Sequence, residues 1–286
     1  MDVKELLDKK NIKYKQRGKD YQVRCFNPNH DDHNPSMNID KISGLFNCLS
    51  CGFAGDIYKY FNINKEKYID EKAAEVAEKI KALLNKRNLS LPLDANHFRE
   101  PYRGIRPETF RKFGAFTSES QELNMEGRLI FPIYDINDRI VLFQGRYLHS
   151  DLDPKYKNYP KDTPLILYPQ APTLIDNSII LVEGFYDMLN LHDKGLTNAV
   201  CVFGTAFGNV KKTAKIKANI ERLLLYKYQG ASKIYIMFDA DEAGMHSAEN
   251  LQNYLSSTFT TEIITLEDGR DPGSLQDFEV SKLKGQ

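Results

Sequence analysis

The stretch Ile234-Tyr-Ile-Met-Phe-Asp239-Ala-Asp241-Glu-Ala-Gly244 decides how this chain is read. An apolar, strand-like run ends in two carboxylates one residue apart and passes into a small, polar helix start. Alternation along a strand puts Asp239 and Asp241 on one face, just past the carboxyl end. Open α/β sheets hold their ligands there. The pattern occurs earlier in Ser178-Ile-Ile-Leu-Val-Glu183-Gly184-Phe-Tyr-Asp187, again a buried strand, an acid at its end, then a helix. Acids at such ends also serve as helix N-caps. Two such strand ends in one chain, however, gather several carboxylates at one sheet edge, a repulsion that a hard divalent cation relieves.

Around these two strands the C-terminal part alternates strand and helix. Strands over 178–183, 199–203, 233–238 and 260–266, separated by helices over 185–194, 209–228 and 243–256, predict a parallel, doubly wound sheet. Gly204-Thr205-Ala206 follows the second strand and is either a plain turn or one that presents backbone N–H groups to a phosphate. Asp268-Gly-Arg-Asp271-Pro272-Gly273 follows the last and adds acids at the same edge. The acids gather here: residues 176–286 carry 15 acidic and 11 basic side chains, whereas the whole chain balances at 39 of each. No global polycation announces nucleic-acid binding.

The other end of the chain carries different chemistry. Cys25-Phe-Asn-Pro-Asn-His30 and then Phe46-Asn-Cys48-Leu-Ser-Cys51-Gly52 give Cys-x4-His followed by Cys-x2-Cys, the spacing of two knuckles that close a tetrahedral zinc site. Gly52 suits the tight turn of the second knuckle. His33 is a rival fourth ligand; the shorter loop favours His30. Four ligands leave no open position, so this zinc is expected to be structural, and so small a segment needs it to fold. Cys201 lies apart, in an apolar strand. Clustered cysteines in a chain without a signal peptide or an apolar run of roughly 20 residues point to a metal in a soluble, cytoplasmic protein rather than to disulfides or a membrane.

Between these ends, Val3, Leu6 and Leu7 mark a first helix, Asp56 caps one over 55–61, and helical periodicity extends over 70–86. Pro92 and polar neighbours place a loose linker at 87–100. Pro107 opens a helix over 107–113. Strands over 128–134 and 140–148 form a hairpin across Asp135–Arg139. Arg128, Arg146, Lys155 and Lys157 interleave with Tyr147, Tyr156 and Tyr159, a mixture suited to phosphate contact and base stacking. With 286 residues, 41% of them hydrophobic, the chain holds a real core and more than one module. The division expected is 1–60 zinc-binding, 61–100 helix and linker, 101–175 a basic subdomain, and 176–286 the acid-bearing sheet.

With these residues in place the chain resembles a bacterial-type (DnaG-type) DNA primase, a form found also in phages. The zinc module is similar through Cys25, His30, Pro35-Ser36, Cys48, Cys51 and Gly52-x-x-Gly55-Asp56. The basic segment is similar through Gly127-Arg128-x-x-Phe131-Pro132-Ile133, Phe143-Gln-Gly145-Arg146 and Pro154-Lys155-Tyr156-x-Asn158. The toprim signature is Glu183-Gly184-x-x-Asp187, Gly204-Thr205-Ala206 and Asp239-x-Asp241-x-Ala243-Gly244. Two departures stand out. The first knuckle is longer than the family's Cys-x2-His, and the expected Asp-Pro-Asp is Asp271-Pro272-Gly273. The family's helical tail and helicase-binding domain have no counterpart here, which leaves coupling to a replicative helicase open.

The resemblance implies an α/β (α+β overall) protein: a small zinc ribbon, a mixed α/β basic subdomain and a toprim doubly wound parallel sheet. It implies synthesis of short RNA primers from nucleoside triphosphates on single-stranded DNA. Glu183, Asp239 and Asp241, helped by Asp187 and Asp271, would hold Mg²⁺ or Mn²⁺. Arg128, Arg146 and Lys155 would grip template or triphosphate, with Asn158 orienting it, and Phe46, Arg24 and Lys41 would read the template from the zinc module. Two rivals differ in class: a toprim nuclease, which would lack the Arg128–Arg146 subdomain, and a non-catalytic zinc and toprim DNA-binding recombination mediator, which would lose the carboxylates.

Overall fold

The computed structural model describes residues 2–84, 88–149, 153–161, 163, 167–204, 222–267 and 269–283. The chain divides into two compact units, Met1–Ala73 with Ser256–Thr258, and Ala74–Leu255 with Phe259–Gln286.

The first unit is a five-stranded antiparallel meander: β1 (Lys15–Arg17), β2 (Asp20–Val23), β3 (Met37–Asp40), β4 (Leu45–Cys48) and β5 (Ala54–Asp56), in sequence order. Its core is small. Val3, Leu6 and Leu7 of α1 (Val3–Lys9) join Val23, Met37, Ile39 and Phe46 from the strands and Ile57 of α2 (Ile57–Tyr60). Asp56 caps α2, its carboxylate accepting from the Tyr58 and Lys59 N–H groups. The next helix, α3 (Lys65–Leu84), starts ahead of the periodic stretch predicted for it. The boundary between the units falls within it.

The second unit holds two sheets. The first is antiparallel, ordered β10 (Tyr156–Tyr159), β9 (Ile140–Tyr147), β8 (Arg128–Tyr134), β7 (Phe116–Thr117), β6 (Asn96–His97). The predicted hairpin is its centre, and β8 is buried on both faces. The stretch 87–100 differs from the loose linker expected. Leu89 donates its N–H to the Ile140 carbonyl (2.8 Å) and β6 pairs with β7. The Asp94 carboxylate accepts from the Ser118 hydroxyl and the Glu119 N–H. Its described residues, 88–100, are sewn to this sheet.

The second sheet is parallel, ordered β12 (Ala199–Cys201), β11 (Ser178–Val182), β13 (Lys233–Ile236), β14 (Thr260–Ile263). The chain leaves β11 towards one edge and returns to place β13 on its other side. β11 and β13 are therefore neighbours at the point where strand order reverses, and their carboxyl ends open a crevice there. Helices α5 (Phe185–Asp193) and α6 (Glu242–Leu255) follow these two strands. Residues 222–228 are helical; the rest of the helix expected from 209, with Thr205 and Ala206, lies outside the described residues. Leu181, Val182, Leu189, Ile234, Ile236 and Leu251 are fully buried in the core that both sheets share. Among the described residues no helix is long and apolar enough to cross a membrane.

Candidate metal centre and acidic site

In the first unit one ligand atom from each of Cys25, His30, Cys48 and Cys51 lies within 4.8 Å of the others. Cys25 and Cys51 sulfurs are 3.6 Å apart, as are the Cys48 sulfur and His30 Nδ1. Zinc bonds of about 2.3 Å to sulfur and 2.0 Å to nitrogen give tetrahedral edges of about 3.5–3.8 Å, so the donors stand where zinc would need them. His33 is exposed and faces Asp31 instead. Gly52 takes φ +74°, which a side chain would resist, and its N–H reaches the Cys48 carbonyl (2.9 Å).

The longer first knuckle is organised by Asp32, which sequence reading missed. One of its oxygens accepts from the Cys25 N–H (2.7 Å), the Ser36 N–H (3.1 Å) and the Ser36 hydroxyl (2.9 Å). Ser36 in turn lies 3.2 Å from the Cys48 sulfur, and the Asn27 backbone and side-chain N–H groups point at the Cys25 and Cys51 sulfurs. The Asn27 donors favour thiolates, the form a metal requires. Phe46, expected to reach the template, is only 4% exposed and packs among Phe26, Phe53 and Tyr60. Lys41 is bound to the Gly18 carbonyl and sits over the Tyr21 ring.

At the switch point of the parallel sheet the predicted acids come together. Glu183 follows β11 directly; burial, then the charges of Asp239, Asp241 and Asp187, push its carboxyl up to about 7. Asp187 is pushed up to about 7 by burial and then by Asp239 and Asp271. Asp239 is raised by burial, Asp271 and Asp241, while Lys155 pulls the other way. These are the marks of like charges confined in one crevice.

Two of the acids are fixed by backbone. The Asp187 carboxylate accepts the Gly184 N–H (2.8 Å). That of Asp241 accepts the Gly244 N–H (2.7 Å), so Asp241 also fills the helix-capping role its position allows. At Gly244 a β-carbon would lie 2.2 Å from the Asp239 carbonyl, so only glycine lets α6 start this close. Asn190 of α5 donates to the Pro272 and Leu275 carbonyls, while the Ala240 N–H donates to the Arg270 carbonyl and the Ala240 carbonyl accepts from the Gly269 N–H. Asp271 is thereby held beside Asp187. One oxygen each of Glu183 and Asp239 is buried with no hydrogen-bond partner among the described residues. Orphaned hard oxygens of this kind fit a divalent cation such as Mg²⁺ or Mn²⁺. The acids form no closed donor set like that of the cysteines among the described residues.

The predicted basic residues separate into two kinds. Arg128 is buried, its guanidinium donating to the Gly145, Pro154 and Lys155 carbonyls and lying 3.7 Å from the Tyr147 ring centre. It grips the loop that carries Lys155 rather than facing a ligand. Lys155 is exposed. Arg146 is also buried; it donates to the Tyr156 hydroxyl and lies over the Tyr156 and Tyr186 rings. Asn158 accepts from Gln144 across β10 and β9. Arg103, which sequence reading passed over, lies over the same Tyr186 ring from the turn before α4 (Pro107–Lys112).

A zinc ribbon, a basic antiparallel sheet and an acid-lined parallel sheet in one chain define a zinc-bearing toprim protein. Comparison with known families gives the same three parts in the same order. The CHC2 zinc finger matches residues 1–91, the N-terminal domain of the DNA primase catalytic core 95–166, and the Toprim domain 177–265. The chain is 28% identical to the DNA primase of Clostridium acetobutylicum, over 95% of this chain and 54% of that one. It is 26% identical to that of Aquifex aeolicus, over 93% and 63%. The crystal structure of the zinc-binding and RNA polymerase domains of the Aquifex aeolicus primase shares the fold, with a TM-score of 0.50 and 22% identity over 100% of this chain and 82% of that one. Through these three domain models the chain is similar to the DnaG-type DNA primases along most of its length. It spans about half the length of the first of these curated relatives and under two thirds of the second.

Proposed function

We propose that the chain synthesises short RNA primers from nucleoside triphosphates on a single-stranded DNA template. The observation that carries this reading is the acid cluster at the β11–β13 switch point, with buried carboxylate oxygens left unpartnered among the described residues beside a basic sheet. Glu183, Asp239 and Asp241, with Asp187 and Asp271 alongside, are the proposed holders of Mg²⁺ or Mn²⁺. Such ions, when bound, polarise the reacting phosphate and neutralise the leaving pyrophosphate.

The chain's own residues position and hold charge, and no side-chain nucleophile is needed. Lys155, near enough to Asp239 to act on its carboxyl, is the proposed contact for triphosphate or template. Arg128 keeps the Lys155 loop in place, Arg146 is clamped between two rings beside α5, and Asn158 is oriented by Gln144. Cys25, His30, Cys48 and Cys51 are the proposed ligands of one structural zinc. Residues 1–60 are proposed to choose the template, with 101–175 and 176–286 carrying phosphoryl transfer. A replicative helicase is a further partner class for the whole protein.

The test is incorporation of labelled ribonucleotide on single-stranded DNA by the wild-type protein and by Asp239→Ala. Short RNA products from the first and none from the second are expected. Metal-dependent loss of the DNA would make the chain a nuclease, and DNA bound but unchanged would make it a mediator.

A further inference from the structure

Tyr186 lies between Glu183 and Asp187 in the chain. Its side chain is 6% exposed. Two guanidiniums lie against its ring, Arg146 at 5.2 Å and Arg103 at 5.6 Å from the ring centre, and Tyr102 meets it edge-on. Cations within about 6 Å of an aromatic ring are held by its negative face. Arg146 is buried, but Arg103 is exposed, at the tip of a tight turn that Tyr102 and Ile105 close with two backbone bonds. Among the described residues Arg103 meets no carboxylate at ion-pair distance. The ring is what fixes where its charge stands.

Beside it opens a cavity of about 360 Å³ whose lining includes Arg103, Tyr186, Asp187, Asp271, Gly273 and Ser274. The Tyr186 hydroxyl is buried and has no hydrogen-bond partner among the described residues. A guanidinium and two carboxylates around one small cavity suit a ligand that is anionic and brings its own cation. We infer that Tyr186 is a positioning residue of the nucleotide site: its ring seats the Arg103 guanidinium at this cavity, to meet the polyphosphate of a nucleoside triphosphate carrying a divalent cation. The inference rests on the proposed function above. It adds a residue and a division of labour, with Asp187 and Asp271 facing the cation, Arg103 the phosphates, and Tyr186 holding Arg103.

The test measures ATP affinity by calorimetry on the full chain with Mg²⁺ present, for wild type, Tyr186→Phe, Tyr186→Met, Arg103→Ala and the Met/Ala double variant. Loss of a cation–ring contact is worth roughly 3- to 30-fold in affinity, so Tyr186→Met is expected to bind about tenfold more weakly. Tyr186→Phe keeps the ring and is expected to stay within about fivefold of wild type, the span of one neutral hydrogen bond. Because Tyr186 acts through Arg103, the double variant should bind no more weakly than Arg103→Ala alone. A purely structural loss would add in both backgrounds.

Additive losses, or wild-type affinity in Tyr186→Met, overturn the role of Tyr186 alone. A wild type that makes primers but binds ATP without regard to Arg103 overturns the cavity. A wild type that neither binds ATP nor makes primers overturns the proposed function with it. Should Tyr186→Met not fold, Arg103→Lys leaves the buried ring untouched and removes the planar stacking group. It is expected to bind about fivefold more weakly, and wild-type affinity there overturns the inference.

Discussion

Gly273 stands where the family resemblance expects an acid, and the structure gives a reason why it is not one. A β-carbon there would lie 2.6 Å from Asp187 Oδ1 and 3.4 Å from Asp271 Oδ1. Asp187 cannot withdraw, because the Gly184 N–H holds its other oxygen. Gly273→Ala is therefore expected to lower stability by about 1–3 kcal/mol, the usual range for overpacking, in a thermal melt without metal. Gly273→Asp should not raise the stabilisation gained from Mg²⁺. A larger gain than wild type would show that the site has room for the acid. The two carboxyls pushed up to about 7, Glu183 and Asp187, set a pH dependence. Between about pH 4 and 7 the folded protein keeps protons that the unfolded chain has already lost. Metal-free stability should then fall as pH rises through that window and level off above it. Asp187→Asn should flatten the fall, and a melting temperature that climbs from pH 5 to 7 would contradict the crowding of these acids. At this scale the sequence was legible where chemistry repeats at fixed spacing, as in the cysteines and the strand-end acids. Arg103 and Tyr186 were not, since their contact joins positions far apart in the chain. The engagement of Arg128 was not either, because its partners are backbone carbonyls that no side-chain pattern reports.

Helix α4 is tied to the end of α5 by one carboxylate. Asp193 is 3% exposed at its side chain, accepts from the Arg106 N–H (3.0 Å), the Arg106 Nε (3.1 Å) and the Thr109 hydroxyl (2.6 Å), and so caps α4 from outside. Arg106 also donates to the Asp193 carbonyl. Asp193→Ala leaves these donors unsatisfied and is expected to cost about 2–4 kcal/mol, less than the loss of a fully buried pair because Arg106 is 61% exposed. Denaturant unfolding gives the number, and a cost below about 0.5 kcal/mol would mean that water replaces the carboxylate. Because Arg106 closely follows Arg103, the same substitution should also weaken nucleotide binding. The elements themselves were largely readable: β11 is an almost continuous apolar run because the parallel sheet buries both its faces, and in β13 Ile234 and Ile236 are buried between the half-buried Lys233 and Tyr235. The stretch 88–100 was not. It is held by a two-residue strand, an isolated bridge and the Asp94 cap, and none of these is long enough to show a period.

The two units draw their stability from different sources. The first has few core side chains around a four-donor cluster, and the second has two sheets on a common apolar core. Chelation of zinc is expected to unfold the first and leave the second intact. Limited proteolysis after chelator treatment should remove residues before about 74 and spare the rest; protection of both units would show that the ribbon folds without metal. The pinning of residues 88–97 has a consequence for any shorter form of the second unit. Leu89 and Ala95 cover Phe116, Leu123, Met125, Ile130 and Phe143, and β6 occupies the free side of β7. A fragment beginning at 101 would present an uncovered apolar patch and an unpaired strand edge to its neighbours, the condition under which sheets recruit further copies. It should elute from size exclusion as a concentration-dependent mixture of oligomers, whereas a fragment beginning at 74 keeps this edge covered, retains Val76, Ala77 and Ile80 of the common core, and should show no such concentration dependence.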